Sequence, residues 1–228
     1  MSTVLITGAN RGLGLEFARQ YAAAGWRVHA GCRHPERADA LRAVAGEVRL
    51  HRLDVADHAQ IDALADDLAG EPLDVLVSNA GVYGDTPERG LGRLDYDAWA
   101  HAFRVNTMAA ARLAERFADT LARAPRPVFA ALTSLMGSMA DNGSGGAYLY
   151  RSSKAALNAV LKSLSIDLRP RGIRVLILHP GWVKTDMGGP GALITPQESV
   201  VGLRRLIDAG DDELSGRFLN YDGAELPW

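Results

Sequence analysis

Seven short runs rich in β-branched and apolar residues recur along the chain, and longer alanine-rich amphipathic segments fill most of the intervals between them. The runs are Val4–Thr7, Arg27–Gly31, Val48–Leu53, Leu73–Ser78, Val128–Thr133, Ile173–Leu178 and Phe218–Tyr221. Such alternation is how parallel βαβ units read, because two parallel strands need a crossover between them and a helix is the usual one. Several runs are apolar almost throughout, as strands become when helices cover both faces of their sheet. The expected fold is therefore α/β, a doubly wound parallel sheet of about seven strands. No repeat, linker or low-complexity tract interrupts the rhythm, and 228 residues suffice for one substantial core but are short for two. Residues 1–228 are expected to form a single domain.

Charge and cysteine content narrow the function classes. With 25 basic and 27 acidic residues the net charge is −2, which offers nucleic acid little electrostatic reason to bind. Cys32 is the only cysteine, so an intrachain disulfide, a CxxC redox pair and a cysteine-built zinc site are all excluded, and no metal site is expected. Met1-Ser2-Thr3 leads at once into the first strand with no room for a signal sequence, and apolar stretches such as Arg174–Leu178 fall far below membrane-spanning length. The expectation is a cytoplasmic protein with neither a membrane nor a nucleic-acid partner.

Three irregular stretches follow the carboxyl ends of strands, where open α/β sheets hold their ligands. They are Val82–Leu94, the glycine-rich Leu135–Gly146, and His179–Thr195, which is expected to cover the site as a mobile lid. The first strand runs into Thr7-Gly8-Ala9-Asn10-Arg11-Gly12-Leu13-Gly14, and a helical pattern follows. Glycines let the backbone turn tightly and approach a pyrophosphate, while the N–H groups and positive dipole end of the new helix face the anion. The spacing is GxxxGxG. In a different context it would be a plain strand-to-helix turn; after the first strand of a seven-strand pattern it reads as a dinucleotide cradle.

A fold that prefers NAD carries an acid at the end of its second strand to hold the ribose hydroxyls, and here the chain has Gly31-Cys32-Arg33. Arg33 and Arg11 are expected to converge on a 2′-phosphate, which favours NADP(H) over NAD(H). The alternative, two ordinary surface arginines, stays open in a chain with 22 of them. Asp54 and Val55, after the third strand, are candidates for the adenine side, Asp54 equally reading as a turn or N-cap residue.

Tyr150 and Lys154 lie four apart, so on a helix they share one face. A phenol is a poor proton donor or acceptor at neutral pH, and a fixed cation beside it stabilises the phenolate and draws its pKa toward the working range. A solvated helix face would give the same spacing.

Thr7–Gly14, Ser78-Asn79-Ala80-Gly81, Asn106, Thr133-Ser134, Tyr150 with Lys154, and Pro180-Gly181 occur in that order on the expected elements. Together they resemble the short-chain dehydrogenase/reductase family over essentially the whole chain. Gly137–Asn142, Tyr148–Arg151 and the ending Tyr221–Trp228 are similar to its C-factor and sniffer-type carbonyl reductase group. The resemblance implies a tetrad: Tyr150 as general acid, Lys154 on the nicotinamide ribose, Ser134 donating to the substrate oxygen, and Asn106 anchoring a water that links Lys154 to solvent. Ser134 lies 16 residues before Tyr150, a longer gap than the family usually has, and Ser138 lies 12 before it. Ser134 is preferred because it directly ends the fifth strand. Asn79-Ala80-Gly81 is implied to abut the cofactor, and Pro180, Gly181, Val183 and Thr185 to approach its carboxamide.

The implied reaction is reduction of an aldehyde, ketone or quinone to the alcohol with NADPH. Alternatives are an NAD-dependent alcohol dehydrogenase and a dinucleotide-binding signalling or sensor protein. Met136, Tyr83, Trp182 and Met187 are the candidates for a pocket around an apolar carbonyl. Family members commonly pair through the Tyr–Lys helix and its predecessor, so a homodimer using the alanine-rich face of Met108–Ala118 is expected; an ordinary buried helix explains the same alanines.

Overall fold

The computed structural model describes residues 1–88 and 90–228. Arg89, inside the irregular stretch Val82–Leu94, lies outside the described residues. The strands are β1 (Thr3–Thr7), β2 (Arg27–Cys32), β3 (Val48–Arg52), β4 (Val75–Ser78), β5 (Val128–Leu132), β6 (Arg174–His179) and β7 (Phe218–Asn220). Between them run the helices α1 (Gly12–Ala23), the short α2 (Asp39–Arg42), α3 (His58–Asp67), α4 (Tyr96–Phe103), α5 (Ala109–Leu121), α6 (Tyr148–Asp167) and α7 (Pro196–Asp208). All seven strands are parallel, in the order β3-β2-β1-β4-β5-β6-β7. This is the doubly wound sheet expected from the alternation of runs.

Period-two side-chain alternation divides the core between the two faces. Val4 and Ile6 of β1, with Val75 and Val77 of β4, pack against Phe17, Tyr21 and Leu203 of α1 and α7. Leu5 and Leu76, from the intervening positions, join Leu113, Phe117 and Leu161 of α5 and α6 on the other face. β1, β4 and β5 are buried on both sides and are accordingly apolar almost throughout, with Thr3, Thr7 and Ser78 as buried polar residues at strand ends. The Ala109, Ala110, Ala114 and Ala118 methyls of α5 are buried inside this same core, so they carry no information about a second copy. Among the described residues no helix is long and apolar enough to cross a membrane.

Strand ends shift from expectation by one or two residues. Leu73 is buried but precedes β4, whose ladder begins at Val75. β7 ends at Asn220, where the chain reverses through a bond from the Asn220 N–H to the Ala224 carbonyl. Asn106 is not in an α-helix: Arg104–Met108 form a π-helical turn, an insertion common at functional sites, and α5 begins after it. Helix starts differ in a way that matters below. Asp57, Asp95 and Thr195 cap α3, α4 and α7, the last with Glu198 in a reciprocal capping box, whereas Arg11 and Ala147 give α1 and α6 no side-chain cap.

Candidate active site

The strand order reverses between β1 and β4, and a cleft of about 750 Å³ opens there beyond the carboxyl ends of the strands. Gly8, Asn10, Arg11, Gly12, Leu13, Arg33, Asp54, Val55, Asn79, Ala80, Gly81, Tyr150, Lys154, Pro180 and Thr185 line it. Asn106, Ser134, Gly14, Gly181 and Val183 are not among the residues that line it.

The floor of the cleft is built by glycine. Gly8 and Gly12 adopt φ of +66° and +53°, conformations that L side chains rarely hold. At Gly14 a Cβ would lie 2.3 Å from the Gly8 carbonyl oxygen and 2.7 Å from Asn79 Nδ2, so α1 can approach the turn only without a side chain. No side chain caps α1 and no acid lies in its first turn, leaving N–H donors and the positive dipole end for an anionic group. The Thr7 hydroxyl accepts from the Asn79 and Ala80 N–H groups at 3.0 Å each, and Asn79 Nδ2 donates to the Thr7 carbonyl at 2.8 Å. The Asn79–Gly81 segment thus joins the ends of β1 and β4 while bordering the cleft. A cradle that a single Cβ would fill, beside an uncapped helix, fits a dinucleotide pyrophosphate.

At the β2 end, Cys32, Arg33 and His34 line the cleft with no carboxylate at the close of the strand. The exposed Arg33 guanidinium has no partner among the described residues. Arg11, on the same cleft, donates from Nη1 to Asp186 Oδ2 at 2.6 Å, in an exposed ion pair that draws it toward the segment after β6. Asp54 lines the cleft, and its Oδ1 accepts from the Ala56 N–H at 3.0 Å, so the turn reading of this residue holds as well.

Tyr150 and Lys154 lie on the first turns of α6 and are both buried. Lys154 Nζ donates to the Leu132 carbonyl at 2.8 Å and sits 5.8 Å from the Tyr150 ring centroid. Burial pushes its pKa down to about 8. Burial also dominates Tyr150, lifting the phenol to about 12; the Ser134 hydroxyl lowers it and Tyr83 adds to the rise. The depression by Lys154 expected from the sequence is not among these influences.

Ser134 comes close because the turn Leu135–Gly137 packs directly on α6: a Cβ on Gly137 would lie 2.8 Å from the Lys154 carbonyl carbon. Ser138 Oγ instead accepts from the Asp141 N–H at 3.0 Å. Asn106 Oδ1 accepts from the Val82 N–H at 2.8 Å, while its Nδ2 donates to the Val82 carbonyl and to Ser153 Oγ at 2.9 Å each. Thr107 Oγ1 donates to the Ser153 carbonyl at 2.7 Å, fastening the π turn to α6.

Of the four side chains expected around the substrate, only Met187 lines the cleft. Tyr83 packs its ring on that of Tyr150, with centroids 4.9 Å apart and planes inclined by 40°. Trp182 Nε1 donates to the Gly188 carbonyl at 2.8 Å and its ring is half exposed. The segment after β6 is anchored by a bridge between Val183 and Ile194, and a Cβ on Gly181 would lie 2.7 Å from Ile194 Cδ1. Sequence reasoning missed His101, Lys184, Asp186 and Gln197 on the cleft wall, and it missed Asp85. The signal for Asp85 is the sequence Gly145-Gly146-Ala147, which starts a helix with no capping side chain of its own.

A doubly wound sheet with a glycine cradle at its reversal point defines the dinucleotide-binding Rossmann class. Within that class the chain belongs to the short-chain dehydrogenase family of oxidoreductases, whose family model, short chain dehydrogenase, matches residues 2–191. C-signal of Myxococcus xanthus is 46% identical over 166 residues, covering 73% of this chain and 99% of that protein. The carbonyl reductase Sniffer of D. melanogaster superposes with a TM-score of 0.92 at 32% identity, covering 100% of both chains. The NADPH-bound carbonyl reductase from chicken fatty liver superposes with a TM-score of 0.91 at 33% identity, covering 100% of this chain and 99% of that one.

Proposed function

We propose that this protein is an NADPH-dependent carbonyl reductase in which Tyr150 is the general acid. The observation that carries the reading is the buried Tyr150 phenol, with Ser134 acting on it and Lys154 one turn along α6, in a cleft whose floor is the glycine cradle. The bound reduced nicotinamide supplies hydride to the carbonyl carbon. The α1 N terminus and the Gly8–Gly14 backbone hold the pyrophosphate, and the unpartnered Arg33 takes the 2′-phosphate. Lys154 would hold the nicotinamide ribose, and Pro180 and Thr185, on the same cleft wall, would hold the carboxamide. The two neighbours crystallised as carbonyl reductases support this class of substrate, and the NADPH of the chicken enzyme supports the cofactor.

Ser134 donates a hydrogen bond to the substrate oxygen, and Tyr150 passes its phenolic proton to the same oxygen as that atom gains negative charge. A phenol raised to about 12 keeps its proton at neutral pH, which is the state that reduction requires. Asn106, whose Oδ1 and Lys154 Nζ both lie close to Gly81, is suited to hold a water on the path by which the proton returns.

The test follows oxidation of NADPH and NADH by wild type and Tyr150→Phe across a panel of aldehydes, ketones and quinones. Loss of a positioned general acid lowers turnover by about 10²–10⁴-fold, and wild-type turnover in the variant overturns the assignment. The likeness to C-signal favours a second reading, a dinucleotide-binding signalling protein. It predicts NADPH binding without turnover on any substrate of the panel.

A further inference from the structure

Helix α6 begins in an unusual way. Gly145, Gly146 and Ala147 all take left-handed backbone angles, with φ of +66°, +64° and +46°, and Ala147 at the N-cap has no side-chain acceptor. The N–H groups of the second and third helical residues, Leu149 and Tyr150, are those a capping side chain normally satisfies. Here the partner comes from 64 and 65 residues away: Asp85 Oδ1 accepts from the Leu149 N–H at 3.2 Å and Asp85 Oδ2 from the Tyr150 N–H at 2.8 Å. Gly84, at φ +79°, turns the chain so that this carboxylate meets the helix, and a Cβ on it would lie 3.5 Å from Leu149 Cδ2. Tyr83, one residue earlier, lays its ring on Tyr150. One short segment after β4 therefore fixes both the backbone and the ring of Tyr150.

We infer that Asp85 is the positioning residue for Tyr150, its carboxylate capping the first turn of α6 so that the phenol is held in place on the wall of the cleft. The inference rests on the reading of Tyr150 as general acid. A carboxylate suits this place because the unmet N–H groups and the dipole of α6 both favour negative charge. An uncapped first turn frays, and the residue that frays is the one whose placement within the cleft sets the rate.

Asp85→Ala and Tyr150→Phe are compared for kcat, for NADPH Kd by fluorescence titration, and for amide hydrogen exchange. Asp85→Ala is expected to lower kcat about 100-fold, to leave NADPH Kd within about twofold, and to speed exchange at residues 148–151 while the central strands stay protected. A purely structural role would lower the folded fraction and leave kcat per folded molecule unchanged, and that result overturns the inference. Asp85→Asn keeps one acceptor oxygen and serves if the alanine variant does not fold: a kcat loss of about 10-fold supports the role and wild-type kcat refutes it. An inactive Tyr150→Phe beside a fully active Asp85→Ala refutes the positioning role alone, whereas an active Tyr150→Phe refutes the general-acid reading on which it stands.

Discussion

Replacing Gly14 with alanine sets two backbone effects against each other. Alanine gains up to about 1 kcal/mol over glycine within a helix because it loses less backbone freedom. Against this, the new Cβ would lie 2.3 Å from the Gly8 carbonyl oxygen, 2.7 Å from Asn79 Nδ2 and 2.9 Å from Ala9 Cα. Two of those three atoms are backbone, so no rotamer change relieves the clash; the turn and α1 must move apart. Overpacking of this kind costs about 1–3 kcal/mol, and the net expectation is a loss of about 1–2 kcal/mol. For a chain of this size that lowers Tm by roughly 2–8 °C. Moving the Gly8 carbonyl also disturbs the cradle, so NADPH Kd is expected to rise at least about 10-fold, which corresponds to 1.4 kcal/mol. Thermal melts and fluorescence titration read both quantities. Gly70→Ala is the control, since nothing lies within 4 Å of its Cβ position, and it should stay within about 0.5 kcal/mol of wild type. A Gly14→Ala protein as stable as wild type, with unchanged NADPH Kd, would refute the steric reasoning.

Three further outcomes are expected. Arg33→Ala should weaken NADPH about 10–100-fold, the worth of a charge-assisted hydrogen bond, and leave NADH unchanged; equal losses for both cofactors would remove the 2′-phosphate role. Ser134→Ala should lower kcat by about 10²-fold while Ser138→Ala, whose hydroxyl holds the Asp141 N–H, should chiefly affect stability; the reverse order in steady-state kinetics would exchange the two serines. Burial pushes the His29 imidazole down to about 4 from its usual 6.5, with His51 adding to the shift. The unfolded chain then binds more protons between pH 6.5 and 4, so stability is full above 6.5 and falls as pH drops toward 4, by on the order of 3 kcal/mol. His179 is pushed down to about 4 by burial as well, so His29→Gln should remove only the His29 share of the slope in urea unfolding across that range, and an unaltered slope would refute that share.

Much of the fold was legible because its signals are local. β-branched runs and helix-length intervals recur over a few residues, and runs that are apolar almost throughout followed from a sheet covered on both faces. Tyr150 and Lys154 could be read as one face of a helix because a spacing of four is a property of the helix itself. The glycine turn was legible for a similar reason: its requirements, tight turning and close approach, are written in missing side chains. Where expectation departed from structure, the cause was contact between distant segments. Arg11 reaches an aspartate 175 residues away, and the Val82 backbone engages Asn106 within a π turn that no local pattern announces. Tyr83, expected around the substrate, instead packs its ring on Tyr150, more than 60 residues along the chain.

The sequence by itself determined the class of sheet, the cradle and the pair of residues at the centre of the site, since each follows from backbone geometry over at most one turn or strand. Only the tertiary structure decided that α6 is capped by Asp85, that burial lifts the Tyr150 phenol, and that the Ser138 hydroxyl is engaged by the Asp141 N–H. Desolvation and long-range hydrogen bonds depend on which surfaces meet, and that depends on the packing of the whole chain.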